Sequence, residues 1–186
     1  WSGYYFPTVP LPVRAVPNTG YIFSGWAEFP DSSTAITVDV TDPITLTALF
    51  EASGPSTGTV VVNEINYNSS DDFNPEDWIE LYNPDETIAH ISGWVLKDED
   101  DAHIFSIPAG TVIEPQGYLV LAENLNLFSA SFPDVDNAIG SFGFGLSGGG
   151  DQVRIYNDDG DLVDSLEYDD AGGWPEAAHG DGPTLE

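Results

Sequence analysis

Between Val60 and Leu121 the chain alternates apolar and polar residues in short runs: VVVNEINYN, DWIELYNPDE, ISGWVLKDEDD and FSIPAGTVIEPQGYLVLAEN. Asn, Pro, Gly and Asp stand between the runs. A period of two with β-branched and aromatic residues, broken by turn formers, predicts short antiparallel strands. The same reading over residues 59–186 predicts about eight strands, near 59–67, 77–83, 93–98, 103–107, 117–122, 141–146, 151–157 and 161–168. Asn157-Asp158-Asp159-Gly160-Asp161 reads as the hairpin turn between the last two, since Gly accepts the positive φ of a tight turn. Asn124–Phe132 reads as one helical turn, with Leu127, Phe128 and Phe132 facing inward. Eight short strands spaced by turns predict a two-sheet sandwich or a small barrel.

A Ser/Gly/Pro/Thr tract, ASGPSTG, separates this block from an N-terminal one and reads as a linker over 52–58. Residues 1–51 carry VRAVPNTGYIFSGW and ITVDVTDPITLTALFE, enough for three or four strands and a small core in which Tyr21, Phe23 and Trp26 are expected to pack. The charge is unevenly divided. Residues 1–57 hold five acids and one Arg, whereas residues 58–186 hold 27 acids against Lys97 and Arg154.

The net charge of −29 argues against nucleic acid or anionic lipid as a partner. It suits a solvated acidic surface, or divalent cations. No apolar run is long enough for a membrane-spanning helix. No signal peptide is read in Trp1-Ser2-Gly3-Tyr4-Tyr5. The chain has no Cys, which excludes disulfides and thiolate metal sites. His90, His103 and His179 fit no zinc-hydrolase spacing.

Two ordered sets of motifs resemble known families. Asn63-Glu64-Ile65 with Tyr67-Asn68, then Asp77-Trp78-Ile79-Glu80-Leu81-Tyr82-Asn83, Ser92-Gly93-Trp94-Val95-Leu96, Phe105-Ser106-Ile107-Pro108, Gly117-Tyr118-Leu119-Val120-Leu121, Gly150-Asp151 and Gly173-Trp174-Pro175 resemble bacterial members of the lamin tail domain family. Residues 3–51 resemble the B-repeats of internalin-type bacterial surface proteins. The first resemblance implies an immunoglobulin-like β-sandwich over 59–186, and the second a small N-terminal β-repeat domain before it, so that the chain is all-β. It also implies a bacterial protein that is secreted or at the cell surface, and it transfers no catalytic residues.

The chain's own residues offer three kinds of site. Glu64, Glu80 and Asp77 on adjacent strands are the carboxylates that acid–base glycoside hydrolysis would need, but no cleft is evident around them. Asp71, Asp72 and Asp77 in one loop and Asp98, Asp100 and Asp101 in another supply the hard oxygens that calcium takes. Trp174, in the Gly/Pro-rich AGGWPEAAHGDGP, is a candidate for stacking on a ligand, whereas Trp78 and Trp94 lie within apolar strands and read as core. Ser147 lacks the sequence context of a nucleophile. The expectation is a non-catalytic interaction and spacer module, adhesive towards an extracellular protein or glycan. An accessory domain of an extracellular nuclease or phosphatase is the alternative, and a stand-alone hydrolase is a third.

Overall fold

The computed structural model describes residues 9–18, 21–29, 33–52, 59–70, 72–180 and 182–186. The N-terminal block forms β1 (Pro10–Arg14), β2 (Tyr21–Trp26), β3 (Ala35–Asp39) and β4 (Ala48–Ala52). These make two antiparallel ribbons, β1 with β3 and β2 with β4. Trp26 and Val38 are buried, and Phe23 sets its ring edge against Trp26 and Phe50. Tyr21, expected to pack, opens β2 at the ribbon's end and is 48% exposed. Beyond Ala52, the expected linker lies outside the described residues. Pro17 sits close over Gly110, where an added Cβ would come within 2.9 Å of its ring.

The second block is a sandwich. Its elements are β5 (Val61–Asn66), β6 (Trp78–Tyr82), β7 (Ala89–His90), β8 (Val95–Lys97), β9 (Phe105–Ser106), β10 (Val112–Ile113), β11 (Tyr118–Ala122), α1 (Leu125–Ser131), β12 (Ala138–Gly140), β13 (Asp151–Tyr156) and β14 (Leu162–Tyr168). One sheet runs β12-β11-β6-β5, the other β14-β13-β8-β9, and β7 and β10 form a small ribbon. The period of two assigns the faces. Ile79, Leu81, Leu119 and Leu121 point inward to meet Leu96, Val153 and Ile155 of the opposite sheet, around a fully buried Trp94. The Asn157–Asp161 hairpin forms as expected, with Gly160 at φ +86°.

Segment 141–146, expected as a strand, keeps the alternation but not the ladder. Phe142, Phe144 and Leu146 are buried and the residues between them exposed. The backbone partners lie elsewhere: the Phe142 amide donates to the Ala122 carbonyl, and the Leu146 amide to the Asp77 carboxylate at 2.7 Å. The third position on that side of the chain is β12 instead, which pairs in parallel with β11.

Helix α1 determines which part of the outer sheet face stays bare. Its N-cap Asn124 accepts the Leu127 amide. Phe128 is buried against Trp78, Val120 and Ala122 on the outer side of β6 and β11. Leu127, expected inward, is 41% exposed, because neighbouring helical residues point about 100° apart. Phe132 joins the cluster as expected. The helix therefore covers one end of the outer face and stops short of Glu80 and Tyr82, which are half-buried, and of Tyr118, which is exposed.

On the far side, edge strand β5 is blunted. Its amide at Val62 donates to Asp164 of β14 at 2.8 Å, a bulge interrupts the register between Val62 and Glu64, and Leu185 pairs with Ile65 through both backbone bonds.

Candidate functional site

Turn 98–103 gathers several of the acidic candidates, each with its own duty. Asp98 is 3% exposed. One of its carboxylate oxygens accepts the Asp100 amide at 2.8 Å and the other lies 2.6 Å from His103 Nδ1. Its carbonyl accepts the Arg154 guanidinium. Asp100 accepts the Ala102 amide, an Asx turn that shapes the loop. Asp101 is outside on the surface, where Lys97 and Arg154 hold its carboxyl below the usual range. The hydrogen bond to Asp98 raises the His103 pKa above its ordinary value, and the imidazole stacks flat on Phe144 at 5.0 Å.

Asp77 serves a different loop. Burial raises its carboxyl to about 7, against the pull of the Leu146 amide, and the nearby Glu123, Glu76 and Asp151 charges add to the rise. Asp151, 6% exposed, accepts the amides of Gln152, Glu99 and Ser147. Tyr168 donates to the Ser147 carbonyl at 2.9 Å. Asp77, Asp151 and Tyr168 thus tether the 146–147 backbone from three strand ends. Asp72 is exposed, and Asp71 lies outside the described residues. The structure brings Asp98, Asp100 and Asp101 onto one turn and places Asp77 just before β6, on the Leu146 amide. Among the described residues no three Asp, Glu or His side chains converge to hold a metal ion. The tethering role of Asp151 was missed by sequence reasoning, since a single acid beside a glycine run carries no sign of its tether.

Trp174 is half-buried and packs on the sandwich core. It lines a groove of about 190 Å³ between β5 and β14, together with Val62, Asn63, Leu166, Pro175 and Thr184.

The third arrangement occupies the uncovered outer face. Glu64 of β5 and Glu80 of β6 stand directly opposite each other in the ladder. Asn63 Nδ2 donates to Glu80 Oε1 at 2.9 Å, and the Thr184 hydroxyl bonds Glu64 Oε1. Burial raises the Glu80 carboxyl, Asn63 opposes the rise, and the Glu64 and Glu186 charges add to it. Beside Glu80 on the same face, Tyr82 and Tyr118 are register partners whose rings stack at 4.7 Å and 28°. The two half-buried glutamates share one sheet face, and Asp77 lies with the 146–147 backbone instead.

Two antiparallel-rich sheets, closed on a core supplied by alternate residues, define an immunoglobulin-like sandwich whose polar groups mostly hold loops in place. The family model for the lamin tail domain matches residues 53–170, and the chain belongs to that family, whose fold is a non-catalytic immunoglobulin-like module. No curated protein matches the chain.

Proposed function

We propose that the chain is an interaction module of a larger secreted or cell-surface bacterial protein, with residues 1–51 acting as an internalin-type spacer and the sandwich contacting an extracellular protein or glycan. One observation carries this reading. The loop carboxylates that could ligate a metal or move a proton are bonded to backbone amides, as at Asp77, Asp98, Asp100 and Asp151, whereas Glu80 and Glu64 are each oriented by a side chain, Asn63 and Thr184. Groups used in that way fix loops and are poorly placed to exchange protons with a substrate. The half-exposed Trp174 groove and the bare tyrosine–glutamate face remain as contact surfaces.

The test is binding of the chain to a panel of defined oligosaccharides and purified extracellular matrix proteins, read by surface plasmon resonance, beside a broad hydrolase screen. Saturable binding without turnover is expected. Turnover that disappears in Glu80→Gln would overturn the reading.

A further inference from the structure

We propose that the uncovered outer face of the β12-β11-β6-β5 sheet docks an arginine-bearing segment of a partner protein, with a guanidinium held between Glu64 and Glu80 and laid against the Tyr82–Tyr118 stack. This rests on the interaction-module reading and names the partner's chemistry.

The starting observation is an unfavourable one. Like charges directly opposite on neighbouring strands destabilise a sheet, yet Glu64 and Glu80 stand in that relation. Among the described residues neither is paired with a cation, and Lys97 and Arg154 are engaged with Asp101. Each carboxylate is nevertheless oriented by a neighbour, Glu80 through Asn63 and Glu64 through Thr184. Both of those bonds fall on Oε1. Among the described residues the Oε2 of each has no hydrogen-bond partner, so two fixed acceptors are presented together.

The adjoining aromatic pair narrows the partner. Tyr118 is 45% exposed and stacked on Tyr82, and α1 covers Trp78 and Val120 but stops short of both. A guanidinium is planar, carries five donors in a fixed fork, and stacks on aromatic faces. An ammonium ion offers only a strongly hydrated point charge. A site that combines two carboxylates with a stacked phenol face therefore suits arginine over lysine. The charge of the whole chain, −29, draws a basic segment towards it and repels acidic competitors.

The experiment is a titration of the isotope-labelled chain with Gly-Arg-Gly-Arg-Gly, the matching lysine peptide and Gly-Ser-Gly-Ser-Gly, at low salt and at physiological salt, followed by NMR. The arginine peptide is expected to move the Glu64, Glu80, Tyr82 and Tyr118 signals and to bind about tenfold more tightly than the lysine peptide. Glu64→Gln and Glu80→Gln keep the Oε1 acceptor and the shape, and each is expected to weaken binding about tenfold while the free protein melts no lower than the parent. Tyr118→Ala is expected to reduce the preference for arginine over lysine. Equal binding of both basic peptides, with shifts spread over the acidic surface, would overturn the proposal as mere charge attraction. Binding of an oligosaccharide or a matrix protein at the Trp174 groove, with no response to the arginine peptide, would also overturn it and leave the module reading intact. Turnover abolished by Glu80→Gln would remove both.

Discussion

Single carboxylates in this sandwich act through the amides they hold, and their titration makes that measurable. Asp77 has a folded-state pKa of about 7, well above an ordinary aspartate. A raised acid favours the folded state when protonated. Its contribution is therefore complete below the unfolded pKa and is lost as pH rises towards about 7. Asp77→Asn keeps an acceptor for the Leu146 amide and removes the charge. It is expected to stabilise the chain by about 1–3 kcal/mol at pH 8 and to change little at pH 4, as read by thermal unfolding at both values. His103 runs in the same direction. Its raised pKa means that the bond to Asp98 stabilises fully below the unfolded imidazole value and fades as pH rises through the folded one. Asp98→Asn should return the His103 NMR titration towards its ordinary midpoint. Asp98→Ala should cost about 1–3 kcal/mol, because it removes the partner of both the Asp100 amide and the His103 ring and frees the turn.

At the level of elements, α1 gives a sharp contrast between neighbours. Phe128→Ala removes a buried ring from the cluster around Trp78 and is expected to cost about 3–4 kcal/mol in urea unfolding, whereas Leu127→Ala should lie within about 0.5 kcal/mol of the parent. The sequence displayed most strands of the sandwich, because a half-buried strand writes its period of two directly into residue choice. It misled at 141–146, where Phe142, Phe144 and Leu146 alternate as a strand would but the amides bond outside any ladder. Burial pattern and hydrogen bonding are separate properties, and only the first is legible in a sequence. The short β7, β10 and β12 give two or three residues each, too few for a period to show. The site was legible to the same degree. Glu64 and Glu80 could be placed on adjacent strands, but their exact opposition, and that of Tyr82 with Tyr118, depends on register, which a bulge at Val62–Glu64 resets.

For the whole molecule, charge is the dominant quantity. The acids of the described loops are bonded separately, so CaCl2 and MgCl2 at matched ionic strength are expected to raise the unfolding midpoint equally by screening. A rise confined to calcium would mean that the chain holds a specific calcium site. The two blocks touch where Pro17 meets Gly110. Small-angle scattering is therefore expected to show one compact envelope, and an elongated one would mean that the tract around 52–58 lets them part.

The blunted rim of β5 has a consequence for crowded settings. Where many copies stand side by side, an open strand is an invitation for a neighbour to add its own backbone and start a fibre. Here the Val62 amide is already taken by Asp164, the Ile65 backbone is closed by Leu185, and the bulge between them throws the spacing out of step. Such a surface can be planted densely and still behave as a set of individuals.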